Sequence, residues 1–134
     1  MASTRVEVQA VGDILRFSCS GLLDPAGVAA LLGSARTAIE QHPATRGVIV
    51  VTSSVTDCAE AAKKDLVGLQ RVLADGGRRT AWIDERARFR GIALWVMHLA
   101  DDANGKAVSN LEQAEHWLRS SEAREASARR GVGR

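Results

Sequence analysis

The run Gly47-Val-Ile-Val-Val-Thr52 decides the fold. Its β-branched residues favour a strand, and the lack of polar alternation indicates that both faces of that strand are covered. Thr80-Ala-Trp-Ile83 has the same character and follows Gly76-Gly77, a pair that marks the end of the helical segment between the two strands. Buried strands joined through a helix are expected to pair in parallel, so the chain is predicted to be an α/β protein.

Towards the amino terminus, two short alternating segments predict a β-hairpin. Val6–Ala10 and Leu15–Cys19 alternate between apolar and polar residues, and the turn signal Gly12-Asp13 separates them. Asp24-Pro25 then predicts the start of a helix, with the aspartate as N-cap and the proline at the first helical position. His42-Pro43 ends this helix, because proline cannot continue the hydrogen-bond ladder.

Three further helices and a short edge strand are predicted downstream. The second helix is expected to begin at Asp57, because Asp57-Cys-Ala-Glu60 has the spacing of a capping box. A third helix is expected over Arg86–Ala100, a strand over Lys106–Ser109, and a last helix after Asn110. The third helix is expected to face the core with Phe89, Ile92, Val96 and Leu99. The predicted order is β-β-α-β-α-β-α-β-α, with helices packed on a mixed, mostly parallel central sheet.

Length and charge indicate one domain with a tail. The 134 residues suit a single domain, with 46% apolar and 25% charged residues. We expect the domain over residues 1–121 and a charged, flexible tail over residues 122–134. That tail holds four Arg and two Glu, which accounts for the whole net charge of +2. Because the remainder is balanced, a nucleic-acid partner is not expected.

The sequence also indicates where the protein works. The longest apolar run, Ile92–Met97, is far shorter than the roughly 20 residues of a membrane span, and the first residues lack a secretory pattern. The two cysteines, Cys19 and Cys58, are too few for a disulfide framework. We therefore expect a cytoplasmic protein with reduced thiols and no membrane span.

No catalytic motif is visible in the sequence. It contains no phosphate-binding loop, no dinucleotide-binding glycine pattern and no nucleophile elbow. The three histidines, His42, His98 and His116, lie far apart, without metal-ligand spacing. These observations favour a non-enzymatic protein without a metal or a cofactor.

Two residues near the predicted start of the second helix each allow two interpretations. Cys58 is either a reactive thiol, with its pKa lowered by the helix dipole, or a small half-buried residue, and neighbouring Asp57 opposes thiolate formation. The first interpretation would make Cys58 the nucleophile of an enzyme. Glu60 either completes the capping box or presents a permanent negative charge at a recognition surface.

Two groups of residues around the fourth strand and third helix also allow two interpretations each. The first is a basic group of Arg78, Arg79, Arg86, Arg88 and Arg90. It is either a solvated rim, balanced by Asp84 and Glu85, or a docking rim for an acidic partner or an anionic ligand. The second comprises Leu94, Trp95 and Met97, which either thicken the core or form an exposed patch for a partner or a second copy of the chain.

The order of these elements resembles a STAS domain, the family named for sulfate transporters and anti-sigma-factor antagonists. The resemblance covers Val6–Arg119 and depends on Val48-Ile-Val-Val51 and on Gly76-Gly77 directly before Ala81-Trp-Ile83. The closing stretch Ala107–Leu118 is similar to the short strand and last helix of the family, and Phe89–Ala100 is similar to a STAS-like bacterial branch.

The resemblance implies an interaction module in bacterial regulation. In sigma-factor antagonists, a partner kinase phosphorylates a serine at the start of the helix after the central strand, and the added charge disrupts partner binding. In this chain that position falls near Glu60, and Ala61 replaces the flanking glycine. The usual serine is therefore absent. The nearest hydroxyls, and hence the candidate phosphorylation sites, are Ser53, Ser54 and Thr56.

The resemblance also implies a partner surface and an alternative function. We expect an anti-sigma factor, a kinase or another regulatory protein to contact Asp57, Cys58, Glu60, Arg86 and Arg88. A homodimer is compatible with the apolar third helix. The alternative is a small-molecule or lipid-binding STAS-like protein, with Leu94, Trp95 and Met97 lining the pocket.

Overall fold

The computed structural model describes residues 4–120. Its five strands form one sheet in the order β1-β2-β3-β4-β5, in which β1 is antiparallel to β2 and every other neighbouring pair is parallel. The strands are β1 (Arg5–Val11), β2 (Ile14–Leu23), β3 (Gly47–Cys58), β4 (Arg79–Ile83) and β5 (Gly105–Val108). This sheet confirms the predicted mixed, mostly parallel α/β class.

Helices cover both faces of the sheet. The helices are α1 (Pro25–Gln41), α2 (Glu60–Ala74), α3 (Ala87–Leu99) and α4, which is helical over residues 111–120. Helices α1–α3 enclose the larger core, where Val48 and Val50 of β3 are fully buried. Helix α4 encloses a smaller core on the opposite face, where Ile49 is 3% exposed. The central strand is therefore covered on both faces, as its β-branched run predicts.

Local signals fix several element ends as expected. Asp24 caps α1, because its Oδ1 accepts a hydrogen bond of 2.7 Å from the Gly27 N–H, and Pro25 occupies the first helical turn. Gly76 and Gly77 have φ angles of 74° and 81°, the left-handed conformation that lets the chain leave α2. Asn110 caps α4, since its Oδ1 accepts from the Gln113 N–H at 2.9 Å.

The predicted start of α2 is wrong. Strand β3 continues to Cys58, and α2 begins only at Glu60, with Ala59 at the N-cap and no side chain capping the helix. Asp57 is therefore a strand residue, and Glu60 lies in the first turn instead of completing a capping box. The reason is long-range pairing, because β2 runs on to Leu23 and keeps the end of β3 extended.

The predicted inner face of α3 is also partly wrong. Phe89 and Val96 are buried as expected, but Leu99 is 44% exposed and Met97 is buried instead. The buried stripe is centred on Ala93, so the helix is rotated about its axis relative to the prediction. Over the residues that the structure describes, no helix is long and apolar enough to cross a membrane. The predicted tail, residues 122–134, lies outside the described range.

Candidate partner-binding surface

Strand β3 projects beyond its neighbour at the carboxyl end of the parallel strands. Its pairing with β4 stops where Val51 meets Ile83, whereas its pairing with β2 continues to Cys58. Two register shifts interrupt that continuation, so this end of β3 is bulged. In open α/β sheets, binding sites lie outside the carboxyl ends of the strands, which makes this projection the candidate site.

The projecting segment exposes mainly polar side chains. Ser53, Ser54, Thr56 and Asp57 are exposed, whereas Val55 and Cys58 are buried in the core. Glu60, in the first turn of α2, and Arg88, in α3, are also exposed. We call the exposed group the β3 tip surface, with members Ser53, Ser54, Thr56, Asp57, Glu60 and Arg88.

Two exposed ion pairs neutralise this surface. Arg88 Nη2 donates to Asp57 Oδ1 at 2.9 Å, with the two side chains 64% and 56% exposed. Lys63 Nζ lies 2.8 Å from Glu60 Oε2. The backbone N–H of Cys58, followed by the charge of Arg88, holds the pKa of Asp57 below its ordinary value, so this carboxylate is ionised at neutral pH.

A third ion pair, which we call the buried pair, joins the buried Asp84 to the partly exposed Arg86. Asp84 is 2% exposed, and both of its carboxylate oxygens accept hydrogen bonds from the Arg86 guanidinium at 2.9 Å. Thr52 Oγ1 also donates to Asp84 at 2.8 Å. Burial raises the pKa of Asp84, but the hydrogen bonds from Arg86 and Thr52 outweigh it and hold that pKa below its ordinary value.

The buried pair shapes the projecting strand. Arg86 Nη2 donates to the backbone oxygen of Thr52 at 2.9 Å, just where β3 loses its pairing with β4. The guanidinium carbon of Arg86 also lies 3.8 Å from the centre of the Phe89 ring. Arg86 therefore anchors the base of the tip through contacts within its own chain.

Three of the five basic residues predicted as one group, Arg86, Arg88 and Arg90, divide into two roles, whereas Arg78 and Arg79 lie at the opposite end of β4. Arg90 Nη1 donates to the backbone oxygens of Asp84 and Glu85 at 3.0 and 2.8 Å, so this side chain also secures the loop before α3. Arg88 points to the surface and contacts Asp57. The structure brings Asp57, Glu60 and Arg88 to one exposed region, and it places Arg86 beneath them.

The environment of Cys58 opposes a reactive thiol. Cys58 is 5% exposed, and it ends β3 instead of lying in the first turn of a helix. Burial raises its pKa, and the carboxylates of Asp57 and Glu60 add to that effect against the charges of Lys63 and Arg88. Burial likewise raises the pKa of Cys19 to about 12. Among residues 4–120, no three His, Cys, Asp or Glu side chains are grouped closely enough to hold a metal ion.

The three candidate pocket residues of α3 do not share a face. Leu94 and Trp95 are 55% and 43% exposed, whereas Met97 is 4% exposed and belongs to the core. The Met97 sulfur lies so close to Gly105 of β5 that a Cβ there would come within 2.9 Å of it. The exposed patch of α3 therefore contains Leu94, Trp95 and Leu99, without Met97.

Sequence reasoning missed Thr52, Lys63 and the role of Asp84. Asp84 directly follows the apolar strand Thr80–Ile83, and an acidic residue at the carboxyl end of a buried strand was the available signal. Thr52 carried no distinct signal, because its partner lies 32 residues away in the sequence. Lys63 was recognisable only once the start of α2 was known.

This architecture is the STAS-like fold, a five-stranded sheet of mostly parallel strands with four helices. An anti-sigma factor antagonist from Mycobacterium paratuberculosis has 18% sequence identity and a TM-score of 0.66, covering 87% of this chain and 95% of its own. RsbS from Moorella thermoacetica, with a serine-to-glutamate substitution, has 18% identity and a TM-score of 0.66, covering 89% and 98%.

A third similar structure is the unphosphorylated form of SpoIIAA, an anti-sigma factor antagonist of Bacillus. It has 18% identity and a TM-score of 0.62, covering 86% of this chain and 98% of its own. No family model matches the sequence, and no curated protein does. The structural likeness confirms the predicted STAS-like fold.

Proposed function

We propose that this chain is a non-enzymatic interaction module that binds a regulatory protein in the bacterial cytoplasm through the β3 tip surface. The fold likeness to anti-sigma factor antagonists supports a regulatory role. The observation that carries the proposal is the bulged, exposed end of β3, which carries the Asp57–Arg88 pair and is followed by the exposed Glu60 at the carboxyl edge of the sheet. An anti-sigma factor or a kinase is the partner class that the fold favours.

The exposed ion pairs suit a recognition surface. Surface ion pairs contribute little to folding stability. Asp57 and Arg88 can therefore separate at small cost, and each can bind an opposite charge on a partner. Such charges at the edge of an interface select the partner and increase the association rate. Arg86 contributes indirectly, because it holds the base of β3 in the conformation that presents Asp57.

Glu60 supplies a fixed negative charge at this surface. It lies in the first turn of α2, where the helix dipole favours a carboxylate, and its side chain is 88% exposed. A partner that recognises Glu60 would therefore bind without prior phosphorylation. We propose that Glu60 is a permanent part of the binding surface, which phosphorylation at this position cannot switch off.

Ser53, Ser54 and Thr56 offer a second level of control. All three hydroxyl residues are exposed on the projecting strand. A phosphate on any of them would add about two negative charges beside Asp57, would compete with Asp57 for Arg88, and would change the charge that a partner meets. Mass spectrometry of the protein isolated from its host is expected to detect a phosphate in residues 53–56. Unmodified peptides under all growth conditions would contradict this part of the proposal.

The partner surface is tested by affinity capture from the host organism. The double variant Glu60→Ala with Arg88→Ala is expected to recover about tenfold less of the native partner than the unchanged protein. The matched control is Arg36→Ala with Glu40→Ala, an exposed charged pair on α1 far along the chain from the tip. Equal recovery by the unchanged protein and both variants would exclude the β3 tip surface as the contact.

Thiol reactivity tests the enzymatic alternative. Because burial raises the pKa of Cys58, its alkylation in the native protein is expected to be much slower than in the urea-unfolded chain.

Native mass spectrometry of protein from the host tests the ligand-binding alternative in the same preparation. Rapid alkylation of Cys58 would favour the enzyme, and a retained small molecule would favour the binding protein.

A further inference from the structure

The exposed face of α3 carries three large apolar side chains together with His98. Leu94, Trp95 and Leu99 are 55%, 43% and 44% exposed, and they lie within two turns of one helix. Gly91 is exposed on the same face, and a Cβ built on it would meet no atom within 4 Å. A second helix can therefore approach closely here, and the apolar side chains would be buried by it.

The two ends of α3 carry exposed side chains of opposite charge. Its first turn carries Arg88, and Asp101 follows its carboxyl end, beyond His98 in the last turn. In an antiparallel pair of α3 helices, Arg88 of each copy would lie at the end where Asp101 of the other copy lies.

Asp101 ends α3 in a left-handed conformation. It follows the helix with a φ angle of 56°, in the left-handed position that usually belongs to glycine. Its backbone N–H donates to His98 O and that of Asp102 to Met97 O, so the conformation closes the helix. Asp102 is bound by Gln70 and Asn104, but within residues 4–120 the Asp101 carboxylate has no hydrogen bond or ion pair. The exposed Asp101 carboxylate is therefore available to a second molecule.

We propose that α3 pairs with α3 of a second copy of this chain, antiparallel and centred between Leu94 and Trp95. Arg88 lies about 10 Å from that centre at the rise of an α-helix, and Asp101, just beyond the carboxyl end of α3, lies equally far along the sequence. The pairing therefore brings Arg88 of each copy towards the acidic end of the other. Arg88 Nη2 already binds Asp57, and within the described residues its Nε and Nη1 make no hydrogen bond.

The apolar centre is tested by sedimentation over a concentration series. The unchanged protein is expected to be a dimer, and Leu94→Ala with Trp95→Ala is expected to raise the dissociation constant about thirtyfold or more. The matched control is Val8→Ala with Val11→Ala, since these are the exposed large apolar residues of β1. Both substituted positions in each variant are exposed, so circular dichroism should show intact folding.

The antiparallel register is tested by charge reversal. Asp101→Arg alone and Arg88→Glu alone are each expected to weaken the dimer several-fold, because each opposes like charges across the interface. An equimolar mixture of these two variants is expected to recover the dimer, since the mixed pair opposes unlike charges at both ends. Asp101 is not part of the β3 tip surface, so Asp101→Arg should leave capture of the regulatory partner unchanged.

The outcomes separate this proposal from the proposed function. A monomer at every concentration, or a dimer that persists in the Leu94→Ala, Trp95→Ala variant, would overturn the α3 interface whatever the capture experiment shows. Failure of the mixed charge variants to recover the dimer would overturn the antiparallel arrangement. Loss of partner capture in the Leu94→Ala, Trp95→Ala variant without a change in oligomeric state would assign this face to the partner protein instead.

Discussion

Two Asp–Arg pairs at the same end of the sheet have the same closest distance and different surroundings. The closest nitrogen–oxygen distance is 2.9 Å in both Arg86–Asp84 and Arg88–Asp57. The Asp84 side chain is 3% exposed, whereas that of Asp57 is 56% exposed. Distance alone therefore does not separate a pair that holds the fold from a pair that is available to a partner.

The difference lies in what water would do if each pair were broken. Asp57 and Arg88 would be hydrated at once, so their separation costs little. Asp84 would be left inside the protein with its charge uncompensated, and Thr52 would lose the acceptor of its hydroxyl. The buried pair therefore anchors β3, and the exposed pair lies on the part of β3 that this anchor positions.

The largest effect is expected from removing the buried charge. Asp84→Asn places an NH2 group opposite the Arg86 and Thr52 donors, and we expect the free energy of unfolding to fall by roughly 3 kcal/mol. Asp57→Asn is the matched control and should change it by less than about 1 kcal/mol. Urea denaturation measures both. Similar losses in the two variants would show that burial does not distinguish the pairs.

The pH dependence of folding stability tests the same comparison between the two pairs. The pKa of Asp84 is held below its ordinary value of 3.8, so its contribution to stability is complete above that pH. It is lost as the pH falls through the lower pKa of the folded state. The unchanged protein should therefore lose more stability than Asp84→Asn between pH 5 and strongly acidic solution, as followed by urea denaturation across that range. Parallel curves would mean that Asp84 does not titrate differently in the folded state.

A substitution of Thr52 tests whether the buried Asp84–Arg86 pair also depends on the hydroxyl group that binds it. Thr52→Val keeps the shape of the side chain and removes the hydroxyl that donates to Asp84 at 2.8 Å. We expect a loss of about 1.5 kcal/mol, because a hydrogen bond to a charged group is removed while Arg86 remains bound. Thr56→Val, on the exposed part of the same strand, is the control and should change stability by less than about 0.5 kcal/mol.

The core of β3 and its projecting end also differ in how far the sequence predicts them. The core of β3 follows from the β-branched run at residues 48–52, and Asp24 and Gly76-Gly77 fix helix ends through contacts close in sequence. Residues 53–58 carry no strand pattern, since bulges interrupt the alternation and the pairing partner lies in β2. The charged residues near Glu60 and Arg88 were foreseeable as a surface group. The sequence did not show that Arg86 holds the base of β3 whereas Arg88 binds Asp57 at the surface, because Asp57 and Arg88 are 31 residues apart in sequence.

The smallest effect is expected within the exposed pair itself. A double-mutant cycle with Asp57→Ala, Arg88→Ala and the double variant should give a coupling free energy of about 0.5 kcal/mol in urea denaturation, decreasing with added salt. The same three variants should reduce partner capture by much more than this coupling implies, because a bound partner excludes water from both side chains. A coupling above about 2 kcal/mol would mean that the Asp57–Arg88 pair also stabilises the fold. The two pairs would then not differ in their contribution to stability.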